Sequence, residues 1–283
     1  MSFTKILATT IALALMVDVA IAENGGKVVA FCGSASEGPL EEAAKVFERR
    51  TGTKVELIWG GSGTVLAQMK LSRRGDLYIP GSPDFMAKAL REGLVDASSE
   101  RILAYLLPVI AVPKGNPQGI RNLADLARPG LRLAIGNPET VCVGLYGVEV
   151  LAHAGLLESV GKNIVTHAAS CADVASLLVL RKVDAVLGWD VFSSWNPERI
   201  EVIALPPEQI PRIAYIPAAI TATFAQNRGG ARAFLDFLQS GEGRAIFAKW
   251  GYLASAEDAR KQAPQARIGG EFLLSELPWP LVK

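Results

Sequence analysis

The residues of this chain best suited to chemistry are hydroxyls rather than charges. Three passages in its first half, 28–36, 55–64 and 76–82, run from a β-rich stretch into a turn of small hydroxyl residues and glycines, with no charged side chain at the turn itself. Backbone N–H groups and hydroxyls collected in this way suit an anion held without a counter-charge. Catalytic patterns fall short of their templates. The run 33–38 has Walker spacing, but Pro39 and Leu40 stand where Lys and Ser/Thr are required. Gly61-Ser62-Gly63 misses a nucleophile elbow because Thr64 replaces the closing Gly. His153 falls in an apolar helix and His167 at a strand end, so a thiol enzyme pairing Cys171 with His167 is the one enzymatic reading the residues leave. The expectation is a protein that binds and hands over a solute, not an enzyme, with no cofactor.

The elements that must position these groups alternate. Leu40, Ala43, Ala44 and Phe47 follow Pro39 at helical spacing and Gly52 supplies a stop, predicting a helix over 39–51. A strand at 54–59 follows, then a helix opened by Gly60-Gly61-Ser62-Gly63-Thr64 and running to 71. A short strand at 76–79 comes next, then a helix capped by Ser82-Pro83 and ending near Gly93. Strands at 131–135, 164–167, 185–189 and 200–203 and helices at 143–151 and 172–180 continue the pattern, and helices at 231–238 and 243–250 close it. Helices after nearly every strand give an α/β class with mostly parallel sheet. Two proline-punctuated extended runs, 106–114 and 213–221, read as crossings between two lobes. The expected organisation is a leader at 1–22, a first lobe of 23–112 plus 205–283, and a second lobe of 113–204.

The leader reads as an export signal. Lys5 supplies a positive start, 6–17 an apolar run, and Ala20-Ile21-Ala22 a cleavage site, so the mature chain is expected to begin at Glu23, in the periplasm. Lys and Arg total 29 against 28 Asp and Glu, a near balance that argues against nucleic acid and anionic membrane.

A set of residues along this framework resembles a known family. Val29-Ala30-Phe31-Cys32-Gly33-Ser34, Gly61-Ser62-Gly63-Thr64, Gly75-Asp76-Leu77-Tyr78, Gly136-Asn137-Pro138-Glu139 with Val143-Gly144-Leu145-Tyr146, Asp173-Val174, and Asp184-Ala185 with Trp189 are similar to the periplasmic molybdate/tungstate-binding proteins of ABC importers. The likeness runs in consistent order from about Lys27 to Tyr252. It implies a type II periplasmic binding fold, two lobes joined by two hinge strands, closing on a tetrahedral oxyanion such as molybdate or tungstate. It further implies a monomer that delivers its anion to an inner-membrane ABC permease. The family's first serine maps to Ser34 or Ser36, on either side of the best-aligned Ala35, and its second to Ser62. Backbone donors map to Val143 and Val174. Trp189 stands where the family has a tyrosine, and Cys142 where it usually has a proline; an indole N–H donates but cannot accept a hydrogen bond.

In such a fold the turns bearing Cys32, Cys142 and Cys171 all face the cleft. Two readings stay open. One is a Cys142–Cys171 disulfide with Cys32 a small buried residue. The other gathers all three thiolates on a soft metal or metalloid ion, making the protein a carrier of that ion.

Overall fold

The computed structural model describes residues 26–276, so the leader expected at 1–22 and the start at Glu23 lie outside the described residues. The first lobe opens with β1 (Lys27–Gly33), whose residues from Val28 onward are all buried. A strand covered on both faces needs such a continuous apolar run. α1 (Glu37–Thr51) buries Leu40, Ala43, Ala44 and Phe47 on one stripe and stops at Gly52, whose φ of 71° is left-handed. β2 (Lys54–Gly60), α2 (Ser62–Ser72), β3 (Leu77–Ile79), α3 (Pro83–Arg91, with proline in its first turn) and β4 (Arg101–Leu106) follow.

After Leu107 the chain enters the second lobe: β5 (Pro108–Pro113), β6 (Leu133–Gly136), α4 (Cys142–His153), α5 (Leu157–Gly161), β7 (Ile164–Ala168), α6 (Cys171–Val179), β8 (Ala185–Trp189), α7 (Phe192–Trp195) and β9 (Ile200–Ala204). It returns through β10 (Arg212–Ile220) and closes with α8 (Arg228–Gln239), α9 (Gly241–Lys249), α10 (Ala256–Gln262) and β11 (Arg267–Ile268). Among the described residues no helix is long and apolar enough to cross a membrane.

Each lobe carries one sheet. The first has the order β11-β10-β3-β1-β2 with β4 also on β10; the second has the order β7-β6-β8-β5-β9. Strands joined by helices pair in parallel, β1 with β2 and β3, and β6 with β7 and β8. The crossing strands run the other way: β5 is antiparallel to β8 and β9, and β10 to β3 and β4. The sheets are therefore mixed, since a chain leaving one lobe and returning to it enters each sheet from the opposite end. β5 belongs wholly to the second sheet, which puts the first crossing at Leu107, ahead of the expected 112/113 boundary. α10 adds Ala259 and Ala263 to an apolar cluster that also holds Leu126, Leu133 and Leu151 of the second lobe.

A second apolar cluster passes from Phe31, Val65 and Ile79 of the first lobe to Val143, Val174 and Trp189 of the second. Two buried polar devices brace it. The Asp76 carboxylate accepts from Val29 N–H and from Gln226 and Asn227 N–H, each at 2.7 Å, tying β1 to the start of α8. Arg212, 1% exposed, stacks over the Tyr146 ring at 4.3 Å and bridges the lobes. Its Nε donates to Glu149 of α4 at 2.7 Å, and its Nη1 lies 3.0 Å from Asp84 of α3. Burial opposes the Arg212 charge, but Tyr146, Asp84 and Glu149 together hold its pKa above the ordinary arginine value.

Candidate functional site

Four helix N-termini converge where the lobes meet: α2 and α3 from the first, α4 and α6 from the second. Each begins directly after a strand or its turn, which is why small residues and glycines stand at these positions. Gly63 N–H donates across the junction to Thr140 O at 2.8 Å, and Ala172 N–H to Ser34 Oγ at 3.2 Å. Gly61 is the residue before α2, and a β-carbon there would fall 2.7 Å from Ala169 O and 2.8 Å from Thr140 O. A β-carbon at Gly81 would strike Cys142 Sγ at 2.5 Å. Only glycine permits these approaches.

Three of the four helices lack a side-chain cap. Gly61 and Val141 have no side-chain oxygen to offer, and Ser82, which the sequence suggests as a cap, makes no capping bond. Ser170 alone caps, accepting from Asp173 N–H at 3.1 Å. First-turn N–H groups are intrinsically without helical partners, and their summed dipoles favour negative charge. The Oγ of Ser82, the hydroxyl of Tyr146 and Nε1 of Trp189 are buried with no hydrogen-bond partner. Tyr146 and Trp189 meet edge-on with centroids 5.1 Å apart. Unpaired buried donors are costly unless a guest completes them.

The expected site residues fare differently. Ser34 is buried and reaches across the junction through its bond from Ala172. Ser36 is buried but turned back on its own loop, donating at 3.5 Å to Gly33 O. Ser62 accepts from Gly81 N–H at 3.0 Å, and its carbonyl accepts from the Tyr78 hydroxyl at 2.9 Å. Val143 stands in the first turn of α4. Val174 N–H is occupied by Ser170 O at 3.1 Å, so the α6 donor turned to the first lobe is Ala172. Trp189 ends β8 and is wholly buried. The sequence marks the 76–82 turn, with Gly81 and Ser82, as suited to an anion, and Tyr146 falls within the resemblance, but none of the three is named there as a contact. An uncapped Ser-Pro helix start and a tyrosine one helical turn after Cys142 are the signals that could have found them.

The thiolate reading is not supported. Cys142 and Cys171 Sγ lie 3.4 Å apart, but Cys32 Sγ donates to Ala30 O at 3.6 Å. Among the described residues no group of three or more metal-ligating side chains exists. Burial pushes the Cys32 thiol far up. Burial, and next the Cys171 thiol, push the Cys142 thiol up as well. Ser62 and Trp189 lower it in return. Neutral thiols are poor metal ligands. The thiol-enzyme reading pairs Cys171 with His167; the Cys171 sulfur instead meets Cys142 at 3.4 Å, and burial lowers the pKa of the His167 imidazole below its ordinary range.

Ser34, Trp59, Thr64, Ala172, Glu37 and Asp173 line a recess at the mouth of the junction. Burial, then Glu41 and Asp173, raise the Glu37 carboxyl above its ordinary range. A void enclosed by Leu126, Leu133, Leu151 and Ile164 inside the second lobe is apolar and offers an anion nothing.

The fold agrees with known proteins. Residues 28–253 match the model of the bacterial extracellular solute-binding protein family. The molybdate-binding protein ModA of Escherichia coli is 25% identical over 238 residues, covering 80% of this chain and 89% of that protein. The periplasmic molybdate-binding protein of Azotobacter vinelandii superposes with a TM-score of 0.71 at 22% identity, over 80% of this chain and 98% of that one. The sulfate-binding protein SubI of Mycobacterium tuberculosis superposes with a TM-score of 0.72 at 16% identity, over 86% and 93%. With two lobes, two crossings and a cleft rimmed by helix N-termini, and with a family match spanning most of its length, this chain belongs to the bacterial extracellular solute-binding proteins.

Proposed function

We propose that this protein is a periplasmic receptor that closes on a tetrahedral oxyanion, molybdate or tungstate, and delivers it as a monomer to an inner-membrane ABC permease. The reading rests on one observation: buried donors at Ser82, Tyr146 and Trp189 have no hydrogen-bond partner where four helix N-termini meet, and Arg212, which stacks over the Tyr146 ring, is already engaged by Glu149 and Asp84. A dianion is held in such a site by neutral N–H and O–H groups, each strengthened by exclusion of bulk water. The relatives support the class of ligand, since one is named for molybdate and a structural neighbour for sulfate.

Ser34, Ser62 and the α4 and α6 N–H groups at Val143 and Ala172 are assigned as contacts, with Trp189 adding an indole donor. Because an indole cannot accept, a protonated phosphate finds no partner there, whereas a fully ionised dianion does. Molybdate is separated from sulfate by its longer metal–oxygen bonds, which a rigid cage reads as size. Binding favours the closed arrangement of lobes that the permease recognises.

Thermal unfolding tests this. Molybdate or tungstate at 100 times its dissociation constant stabilises the protein by about 2.7 kcal/mol. Sulfate at equal concentration does much less. If calorimetry shows no heat with molybdate, tungstate or sulfate, the reading is wrong.

A further inference from the structure

Cys142 and Cys171 are the first residues of α4 and α6, the two second-lobe helices whose N-termini face the cleft. Both are buried, and their sulfurs lie 3.4 Å apart. A disulfide needs about 2.05 Å, so a shift of little more than 1 Å joins them. The Cys142 sulfur also packs against Gly81 of the first lobe, where the Ser62 hydroxyl lies too, and Ser62 and Trp189 both act on its thiol. Those are the groups assigned above to an anion. In the thiol form the protein's own sulfur therefore sits among the donors a ligand would use.

We propose that Cys142 and Cys171 form a reversible disulfide at the centre of the cleft, and that the oxidised form is the one that binds the anion. The second half of this statement rests on the oxyanion reading; the first does not. Oxidation breaks two S–H bonds and forms one S–S bond. The two protons and two electrons pass to a disulfide oxidant such as oxidised glutathione, which leaves as two thiols. The bond draws the Cys142 sulfur toward Cys171 and away from the Ser62 hydroxyl and the Trp189 indole, and ties the N-termini of α4 and α6 at a fixed separation. Cys32, bonded to Ala30 O within β1, stays outside the pair.

The test compares protein refolded from denaturant in a glutathione redox buffer with protein refolded in dithiothreitol. Intact mass and peptide mapping of the first sample show the loss of two hydrogens and a Cys142–Cys171 bridge, with Cys32 still free. Three free thiols, or a bridge through Cys32, overturn the proposal. Calorimetry with sodium molybdate then shows the oxidised sample binding about tenfold more tightly, the equivalent of one neutral hydrogen bond regained. Equal affinities in the two samples overturn the coupling. Heat in neither sample overturns the oxyanion reading and the coupling with it, while the mapped bridge stands by itself. In a Cys142→Ser/Cys171→Ser variant the response to oxidant disappears; a response that persists overturns the assignment, and Cys32→Ser leaves it intact.

Discussion

At the meeting of α2, α3, α4 and α6 the lobes touch through uncharged groups, whereas at Arg212 they touch through full charges. Both junctions are buried and both span the two lobes. Around Arg212 the charges answer one another: Glu149 receives the guanidinium at 2.7 Å, Asp84 lies at 3.0 Å, and Gly270 O accepts a further bond at 2.6 Å. Little is left over for a ligand. At the cleft the donors outnumber their acceptors, with Ser82, Tyr146 and Trp189 lacking any. The Arg212 junction is closed by charge pairing, although Asp84 Oδ2 and Arg212 Nη2 lack a hydrogen-bond partner, and in the proposed reading the cleft is completed by a guest. A fixed cation in the cleft would attract any anion, whereas neutral donors discriminate by shape and protonation.

The contrast can be broken from the ionic side first. Arg212→Met leaves Glu149 and Asp84 buried without their partner and destabilises the protein by about 3–5 kcal/mol in denaturant unfolding. Replacing all three by apolar residues of similar volume recovers most of that loss. If Arg212→Met alone is neutral, the network does not hold the lobes.

From the neutral side, Ser62→Leu fills the space between α2 and Cys142. It weakens molybdate binding by about a hundredfold, or ~2.7 kcal/mol, in calorimetry, while the unfolding transition without ligand moves far less. Equal losses of stability and affinity would show that Ser62 serves packing alone.

The hinge offers a pH test. Asp190 follows Trp189, and its carboxylate accepts from Leu107 N–H at 3.2 Å and Val191 N–H at 3.1 Å. Burial raises its pKa to about 7 from 3.8, and those two N–H bonds only partly restore it. The folded state thus holds the proton that the unfolded chain releases near 3.8. Its contribution is full below that value and is lost as pH rises through about 7. Thermal unfolding of Asp190→Asn is flatter across this window than that of the parent. Parallel pH profiles for the two proteins would contradict this.

The smallest effect belongs to Trp189→Phe, which keeps an aromatic ring against Tyr146 and removes the indole donor. Affinity for molybdate falls about tenfold, the worth of one hydrogen bond. An unchanged affinity would place the indole in packing only.

The local parts of this molecule were readable from residues alone, because caps, stops and periodicity are local. Gly52 ends α1, Ser82-Pro83 opens α3, and β8 occupies 185–189 as its apolar run suggests. β4 was not read, since Arg101–Leu106 alternates poorly between exposed and buried and finds its partner only in β10, far along the chain. The fate of each serine was likewise hidden. Ser36 and Ser34 are alike in sequence, yet one bonds its own turn and the other meets Ala172 of the opposite lobe. Arg212, Asp84 and Glu149 form no motif, because their association depends on how the lobes stack. The family resemblance carried the fold further than periodicity could, but not the thiol pair, which occupies a turn where that family usually has proline.

At Gly61 one lobe's main chain rests against carbonyl oxygens and the Val141 side chain of the other. A single added methyl group would act there as a doorstop. Each lobe would keep its fold and its hydroxyls, but the halves would stand ajar and the donors would never share one guest. The narrowest dimension of this receptor is thus set by an atom that is missing, and Gly61→Ala would separate folding from capture with the smallest change available to a protein chain.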